Sequence, residues 1–322
     1  MLISTLRRGL TAVLASLYVA TSALAQAYPH KPVRIIVPYG AGTATDVTGR
    51  HLAKRLSEKW GVNVYVENLP GAGGVIGTEK LLAAPADGYT LAILASTHAM
   101  NRAIYPMLSY DPIADFTPVT GLTSTSMVVV AYPGSYKSIQ DLFATAKAKP
   151  GELNYGSTGN GSLPHLVIEL MRYKANVNIT HIPYRQTGQL IPDLMAGRVT
   201  IAAMGVATAD PLIKAGKLTA LAVTTPERSP LLPNVPSLGE VLPGYDVTIW
   251  TGLMLPKGAP ATIVDKLNAD VRAVMSEPEM VASIQAIGVS LDLLPADQFW
   301  ARAAREVPIW TELISETGAK VD

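Results

Sequence analysis

The sequence of 322 residues contains no cysteine. This absence excludes disulfide bonds, thiol nucleophiles and metal sites with cysteine ligands. Charged residues are also scarce: they make up 16% of the chain, and its net charge at pH 7 is +1. A chain so close to neutral has no broad electrostatic field with which to hold nucleic acid or an anionic membrane surface, so we expect neither as a partner.

The sequence also lacks the motifs of several large enzyme classes. Gly-x-Gly segments begin at Gly40, Gly71 and Gly159, but none of them completes the Gly-x-Gly-x-x-Gly pattern of a dinucleotide-binding loop. There is no Walker sequence, and the histidines do not form a His-Glu-x-x-His zinc motif. Ser157 has Tyr155 where a nucleophile elbow needs glycine. We therefore predict no cofactor, no metal site and no catalytic residue.

The start of the chain has the pattern of a secretory signal peptide. Arg7 and Arg8 precede an apolar stretch, which ends at the small-residue site Ala23-Leu24-Ala25. We expect residues 1–25 to be removed by cleavage near Ala25, and the mature protein to reside in the periplasm. Loss of both arginines changes the charge balance to 24 − 25 = −1. No later apolar run reaches the roughly 18 residues of a transmembrane helix.

The segment from Val33 to Leu56 predicts a strand, a turn and a helix. Its β-branched run, Val33 to Val37, is typical of a buried parallel strand, and apolar residues after Asp46 recur at helical spacing. The small residues Gly40-Ala41-Gly42 lie between them and allow a tight turn. Because the first turn of a helix has unpaired N–H donors and the positive end of the helix dipole, this turn is suited to binding an anion.

The plan of strand, glycine-rich or hydroxyl-rich turn and helix recurs along the chain. It returns at Val62 to Gly74, at Tyr89 to Thr97 and at Leu153 to Ser162. Such alternation forms parallel sheets covered by helices, and ligands bind beyond the carboxyl ends of the strands. The loops at Gly40 to Asp46 and Ser96 to Asn101 should therefore lie on one rim. A mature chain of about 297 residues exceeds one ordinary core, so we expect two lobes.

The remaining elements are expected from periodicity and from helix stop signals. A strand is expected at Met127 to Ala131. Helices are expected at Ile139 to Ala148, Ala261 to Met275 and Ala296 to Thr317, and a shorter one near Pro211 to Ala215.

Two chain crossings would separate the lobes. We expect the first in the polar, proline-containing stretch from Tyr110 to Pro118, and the second at the apolar strand from Val247 to Leu255. Lobe I is predicted to contain residues 26–123 and 249–322, and lobe II residues 124–248. Each lobe is expected to hold a mainly parallel sheet flanked by helices.

Eight motifs follow one another along the mature chain: VRIIVPYGAGTATD, VYVENLPGAGGVIG, DGYTL, YDPIADFTPV, PGELNYGSTGNGSLPHL, HIPYR, AGKLTALAV, and RSPLLPNVPSL with WTGL after it. In order and spacing they resemble the Bug (TctC-like) extracytoplasmic solute receptors of tripartite tricarboxylate transporters. The resemblance covers essentially the whole mature chain. It implies the two-lobed α/β fold of type II periplasmic binding proteins, with a small carboxylic acid enclosed in the cleft.

The resemblance also implies which loops face the ligand. The family motifs match Gly40 to Asp46 and Ser157 to His165, where main-chain amides, hydroxyls and ordered water would hold the carboxylate. Asp46 and His165 are expected to cap or support these loops, since a carboxylate repels a carboxylate. The predicted ligand-binding residues are Tyr39, Gly40, Ala41, Gly42, Thr43, Ala44, Thr45, Ser96, Thr97, Ser157, Thr158, Gly161, Ser162, Gln186 and Thr187.

The sequence departs from the family pattern near this expected pocket. The loop after Tyr39 has extra hydroxyls, and Gln186 stands where relatives have a glycine. Arg185 could pair with a second carboxylate or point to solvent. The ligand is therefore open between one carboxylate and two, and between an aliphatic and an aromatic acid.

The function predicted from these features is transport. A monomeric receptor would bind a small mono- or dicarboxylate and deliver it to a tripartite tricarboxylate-type permease. One alternative is a secreted serine hydrolase that uses Ser157 or Ser162 with His165 or His181 as its base. Another is a carboxylate receptor coupled to a signalling protein.

Overall fold

A computed structural model of the protein describes residues 28–184 and 187–317. The predicted signal peptide, Arg185 and Gln186 lie outside these described residues, and so does the side chain of Thr187. The described chain forms two β-sheets with helices packed on them.

Helices and strands alternate along most of the chain. The first part forms β1 (Val33–Val37), α1 (Ala44–Trp60), β2 (Val64–Asn68), α2 (Val75–Leu82), β3 (Thr90–Ala95), α3 (Thr97–Ile104) and β4 (Phe116–Thr125). The middle part forms β5 (Met127–Ala131), α4 (Ile139–Ala148), β6 (Asn154–Ser157), α5 (Leu163–Ala175), β7 (Thr180–Pro183), α6 (Thr187–Met195), β8 (Ile201–Gly205), α7 (Val206–Lys214), β9 (Thr219–Val223) and α8 (Leu238–Val241). The last part forms β10 (Ile249–Pro256), α9 (Ala261–Met275), α10 (Pro278–Ala286), β11 (Ser290–Leu291) and α11 (Ala296–Thr317). None of the helices described here is long and apolar enough to cross a bilayer.

Each sheet combines parallel and antiparallel strands. The first sheet has the order β11–β4–β10–β3–β1–β2, in which β1 is parallel to β2 and β3, while β10 runs antiparallel to β3 and β4. The second sheet has the order β7–β6–β8–β5–β9, in which β6 is parallel to β7 and β8, while β5 runs antiparallel to β8 and β9. The predicted two-lobed α/β fold is confirmed, and its sheets are mixed where mainly parallel sheets were expected.

The chain passes between the sheets next to the antiparallel strands. It leaves the first sheet at the end of β4 and begins β5 one residue later, after Ser126. It returns through residues 246–248 into β10. The first crossing therefore lies beyond the stretch from Tyr110 to Pro118, where the sequence placed it. Pro118 belongs to β4, and the short β11 pairs only with Thr123 and Ser124, so one side of β4 at Pro118 is a sheet edge that tolerates proline.

The predicted bounds of β1, β5, α4, α9 and α11 agree with the structure. Helix α7 begins at Val206, five residues before the predicted Pro211, so this proline lies inside the helix and does not mark its start. The lobe boundaries drawn from the sequence stay a prediction.

One buried side chain joins the two crossings. Thr224 is 0% exposed, and its hydroxyl accepts a hydrogen bond from Met127 N at 3.0 Å and donates one to Val247 O at 2.9 Å. Its backbone contacts the same residues, from Thr224 N to Met127 O at 3.0 Å and from Val247 N to Thr224 O at 2.9 Å. Thr224 therefore holds the start of β5 beside the segment that leads into β10.

The apolar core has three parts. One packs α1 and α9 on the first sheet around Ile35, Leu52 and Leu267. Another packs α6 and α7 on the second sheet around Val130 and Leu194. The third contains residues of both sheets and of α11, which contacts α3 and β4 in one lobe and α5 in the other. The last helix thus contributes to both lobes.

Trp250 fills the core where the second crossing enters the first sheet. Its ring is fully buried, meets Phe299 edge-on with ring centres 5.2 Å apart, and donates from Nε1 to Glu306 Oε1 at 2.8 Å. Burial outweighs this hydrogen bond and raises the pKa of Glu306 to about 8. The Glu306 carboxyl is therefore mostly protonated at neutral pH.

We expect Thr224→Val to lower the free energy of unfolding by about 1–3 kcal/mol, because two hydrogen bonds between the crossings are lost at a buried position. Thr224→Ser keeps the hydroxyl and serves as the matched control, with a smaller loss. Urea denaturation followed by circular dichroism measures both. A valine variant as stable as the wild type would contradict the role given to Thr224.

We expect Glu306→Gln to remove a pH dependence of stability. Because the pKa of Glu306 is raised in the folded protein, folding favours the protonated carboxyl. That contribution is complete below the pKa of the unfolded chain and is lost as the pH rises through about 8. Each pKa unit corresponds to about 1.4 kcal/mol, so the wild type should lose stability relative to the variant between about pH 5 and pH 8. Urea denaturation across this range tests it, and parallel profiles would contradict it.

Candidate functional site

The predicted loops of the first lobe lie at the edge of its sheet that faces the second lobe. Ala95, the last residue of β3, pairs with Thr251 near the start of β10, and Ser96 N donates to Trp250 O at 3.0 Å. Strand β10 starts where the chain arrives from the second sheet, and β1 is parallel to β3. The loops after β1 and β3 therefore lie beside the crossings.

The second sheet has the matching arrangement. Gly205, the last residue of β8, pairs with Met127, the first residue of β5 after the crossing. Strand β6 is parallel to β8, with Gly156 opposite Ala202. The loops after β6 and β8 therefore also lie beside the crossings. We call the two facing sheet margins, with the loops after β1, β3, β6 and β8, the interlobe edges.

Tyr39 ties the loop after β1 to the end of β3. Its hydroxyl accepts a hydrogen bond from Ala95 N at 3.0 Å and lies 2.9 Å from Thr97 Oγ1. Burial raises the pKa of the Tyr39 phenol, so the hydroxyl stays neutral. The Oγ of Ser96 is buried beside this contact and has no hydrogen-bond partner within the described ranges. Tyr39 and Thr97 thus form one polar group at the end of β3.

Helix α3 begins inside the segment from Ser96 to Asn101, which was expected to be a loop. His98, Ala99, Met100 and Asn101 are all buried, and α11 packs on this helix. A short polar segment gains little helical stability from its own residues. Packing against a helix two hundred residues away in the chain makes it helical, which is why the sequence prediction failed here.

Asp46 holds the loop after β1. Its carboxylate accepts hydrogen bonds from Gly42 N at 2.9 Å, Asn68 Nδ2 at 2.8 Å and Arg50 Nε at 3.1 Å. Burial by itself would raise the pKa of Asp46, but these three donors outweigh it and lower the pKa. Thr43 caps α1, with its Oγ1 accepting from Asp46 N at 3.3 Å. The carboxylate is therefore neutralised and turned into the loop.

Two histidines hold the loop after β6. Gly161 N donates to His165 Nδ1 at 2.9 Å. The Oγ of Ser157 lies 2.7 Å from His181 Nε2 and accepts from Gly159 N at 3.1 Å. The imidazole rings stack with centres 4.1 Å apart and an angle of 13° between their planes. The backbone of this loop is thus anchored to a stacked pair of rings, of which His165 is buried and His181 is half-buried.

The contact between Ser157 and His181 has the distance that a serine nucleophile and its base need. Ser157 is 0% exposed, however, so no substrate carbonyl reaches its Oγ in this conformation. Burial and the adjacent His165 also lower the pKa of His181 to about 4, which makes it a weak base. Ser162, the other candidate nucleophile, donates to Gly159 O at 2.7 Å.

Four helices begin at the interlobe edges: α1, which Thr43 caps, and three others, α3 after Ser96, α5 after Ser162 and α7 after Gly205. Among the described residues, no side chain is bonded to the first-turn amides of α3, α5 and α7. Positive potential at the edges therefore comes from peptide dipoles. The adjoining loops contain no lysine or arginine, and they comprise residues 38–45, 96–98, 157–165 and 205–208.

The sequence prediction missed the start of α7. Thr208 and Gly205 line a small cavity of about 80 Å³ together with Thr158, and Leu190 and Met204 supply apolar walls. The signal that could have found them is the glycine that ends an apolar strand ahead of a helix, as in the loop after β1. These residues add the loop after β8 to the edge of the second lobe.

A larger cavity of about 390 Å³ lies on the other side of the crossings. Ser126 and Asp246 of the two crossing segments form part of its wall, with β11 and the loop after β9. Strands β11 and β9 are the outer strands beyond the crossings, whereas β1, β3, β6 and β8 lie on the opposite side. This cavity is therefore separate from the interlobe edges.

The structure collects the predicted residues into two groups, one on each lobe. In the first lobe, Tyr39 and Thr97 are half-buried and in contact, whereas residues 41–44 are exposed. In the second lobe, Thr158, Gly161 and Ser162 are half-buried. Across residues 28–184 and 187–317, no group of histidine, aspartate and glutamate could hold a metal ion.

Comparison with known proteins identifies the family. A sequence model described as tripartite tricarboxylate transporter family receptor matches residues 48–319. Protein BugT of Bordetella pertussis is 33% identical over 307 residues, which cover 94% of this chain and 94% of BugT.

Solved structures support the same family. An R. palustris protein solved with adipate has a TM-score of 0.72 and 32% identity, covering 91% of this chain and 100% of its own. MatC from Rhodopseudomonas palustris, with bound malate, has a TM-score of 0.68 and 29% identity, covering 89% of this chain and 100% of its own. This chain belongs to the tripartite tricarboxylate transporter receptor family, the TctC or Bug family of periplasmic receptors.

Proposed function

We propose that this protein binds a small mono- or dicarboxylate between its two lobes and delivers it to a tripartite tricarboxylate-type permease. In this proposal the chain is exported, its leader is cleaved near Ala25, and the mature monomer works in the periplasm. The family supports the receptor role. The site and the ligand class are argued from the interlobe edges.

The observation that carries the proposal is the direction of the helix N-termini. Helices α3, α5 and α7 begin at facing sheet margins, and the loops around them have no cationic side chain. Each helix N-terminus carries about half a positive charge and unpaired N–H donors. A carboxylate between the lobes would receive hydrogen bonds from both sides, whereas a cation would be repelled.

The relatives support a carboxylate in particular. Solved structures with 32% and 29% identity contain adipate and malate, and both chains are covered over their full length. The two ligands share terminal carboxylates and differ in length and in the hydroxyl of malate. We propose that this protein recognises the carboxylate group that the two ligands share. The rest of the ligand is left unspecified.

The ligand contacts proposed from the sequence stay part of this proposal. They include Gln186 and Thr187, whose side chains lie outside the described residues. The structure adds Gly205 and Thr208 as candidates, since both line the small cavity beside Thr158.

A second candidate function, ester hydrolysis, is favoured only by the contact between Ser157 and His181. The complete burial of Ser157 and the lowered pKa of His181 both argue against it. Incubation with p-nitrophenyl acetate tests it directly. Turnover that is lost in Ser157→Ala would establish the hydrolase and contradict a receptor without chemistry.

Isothermal titration with malate, adipate and benzoate tests the proposed binding. We expect at least one of these acids to bind saturably at about micromolar Kd, or about −8 kcal/mol, which charge-assisted hydrogen bonds can supply. A folded protein that gives no heat with any carboxylate would contradict the proposal.

A pair of charge substitutions tests the location of the site. Space around Gly40 and Gly205 is open, with no atom within 4 Å of an added Cβ, so Gly40→Asp and Gly205→Asp should fold normally. Each places a negative charge at one interlobe edge and should weaken carboxylate binding about tenfold, or about 1.4 kcal/mol. Gly40→Asn and Gly205→Asn add nearly the same volume without the charge.

The asparagine variants are therefore expected to bind more tightly than the matching aspartates. If both aspartate variants bound as tightly as their asparagine controls in titrations, the carboxylate would have to lie elsewhere. An effect at only one position would exclude a ligand held between the two lobes.

A further inference from the structure

We propose that His165 and His181 are positioning residues for the loop after β6, and that this stacked pair keeps residues 157–162 in their binding shape only while both imidazoles are neutral. The expected effect on ligand affinity rests on the proposed function. The expected effect on the loop itself does not.

The hydrogen bond from Gly161 N to His165 shows which ring nitrogen carries the proton of the neutral imidazole. Nδ1 accepts a hydrogen bond from Gly161 N at 2.9 Å, so this nitrogen carries a lone pair and the proton of the neutral ring is on Nε2. A second proton would have to bind Nδ1, directly opposite the Gly161 N–H. Two donors would then face each other, and the hydrogen bond would be lost. Because Gly161 has a φ of 67°, a conformation that glycine leaves easily, the loop depends on this anchor.

His181 extends the anchor to the start of the loop. Its Nε2 lies 2.7 Å from Ser157 Oγ, which accepts from Gly159 N at 3.1 Å and donates to Gly159 O at 3.0 Å. Tyr155 stacks on His181 with ring centres 4.8 Å apart, and His165 stacks on it at 4.1 Å. Positive charge on either stacked ring would be poorly solvated and would disfavour charge on the other. The two rings therefore act together.

Glu169 provides the nearest carboxylate to the two rings, and its charge is shared with other partners. Glu169 Oε1 is 4.0 Å from His165 Nε2, but the same oxygen accepts hydrogen bonds from Tyr155 Oη and from Arg172 Nη1. The Arg172 cation balances the charge of Glu169 beside the rings. On α11, Glu316 lines the cavity that Glu169 and Arg172 also line.

On the other side of β6, helix α6 brings one more charged pair. Asp193 accepts from Tyr184 Oη at 2.8 Å and from Arg198 Nη1 at 2.6 Å, so its charge is also balanced. Strand β8, on the opposite flank of β6, has no titratable residue in its sequence IAAMG. Among these charges, Glu169 favours a protonated ring and Arg172 opposes it.

The pKa values have the expected direction. Burial lowers the pKa of His165, although Glu169 opposes the shift, and burial followed by His165 lowers the pKa of His181 to about 4. A depressed pKa means that the folded loop prefers the neutral rings. Their contribution is present above about pH 6.5, the ordinary histidine value, and is lost as the pH falls towards 4.

Three variants separate the role of His165 as a hydrogen-bond acceptor from its titration. His165→Asn places an amide oxygen near the position of Nδ1, so it can accept from Gly161 N but cannot titrate. His165→Leu removes the acceptor and keeps an apolar side chain. His51→Asn, on α1 of the first lobe, is the control for loss of a histidine elsewhere. Thermal unfolding at pH 7.5 checks that each variant is folded.

Solution NMR of the ligand-free protein tests the loop. In the wild type the Gly161 amide resonance should shift together with the His165 ring resonances when the pH is lowered from 7.5 to 4. In His165→Asn the Gly161 resonance should stay constant over this range, and in His51→Asn it should shift as in the wild type. A wild-type Gly161 resonance that ignores the His165 titration would overturn the proposal, whether or not any carboxylate binds.

Titration with malate and adipate tests the effect on affinity. Because both acids titrate in the same range, the measured quantity is the ratio of Kd between wild type and His165→Asn at each pH. We expect this ratio to rise about twofold or more as the pH falls from 7.5 to 4, and His165→Leu to bind at least about tenfold more weakly than His165→Asn at pH 7.5. A constant ratio, or a folded leucine variant that binds as tightly as the asparagine variant, would overturn the proposal.

The two measurements keep the failures apart. If the wild type bound no carboxylate, the proposed function would fail, and the NMR titration would still decide the role of the histidines. If the wild type bound malate or adipate while the Gly161 resonance ignored His165, only the positioning role would fail.

Discussion

The chain passes between its two sheets at two adjacent points, and Thr224 holds those points together. Strands β5 and β10 both start at the crossings, whereas the parallel strands end there. These two strands therefore have to run antiparallel to their neighbours. The same geometry turns the carboxyl ends of the parallel strands in each sheet towards the other lobe. The mixed sheets and the facing loops are thus two results of one constraint.

The helix N-termini at such an edge supply positive potential from peptide dipoles, and the loops after β1, β3, β6 and β8 contain no lysine or arginine. The helices that follow β3, β6 and β8 begin there, and their first amides are not bonded by capping side chains within the described chain. Neutral dipoles keep a fixed direction and cost little to bury, whereas an unpaired lysine or arginine would cost much more. A near-neutral protein can therefore recognise an anion locally.

The ionisable side chains closest to these loops are used to hold the loops. Asp46 accepts from Gly42 N, with Arg50 balancing its charge, and His165 accepts from Gly161 N in the second lobe. Each of these side chains turns its polar atoms towards loop amides. The surface proposed to face the ligand is left to backbone groups and hydroxyls. This division explains why a motif search for charged catalytic residues finds nothing in the proposed carboxylate site.

The elements whose signals are local could be predicted from the residues alone. Strand β1 and helices α4, α9 and α11 have the predicted bounds, because periodicity and stop signals act within one segment, and the ordered motifs indicated the family. The extent of β4 and the helical conformation of α3 depend on tertiary structure. Strand β4 contains Pro118 because this proline lies at a sheet edge, and α3 is helical because the distant α11 packs on it. Tertiary structure also decided the partners of His165 and His181, which are sixteen positions apart in sequence and stack through contacts between a helix and a strand. Such contacts depend on distances in space, and a linear pattern does not specify them.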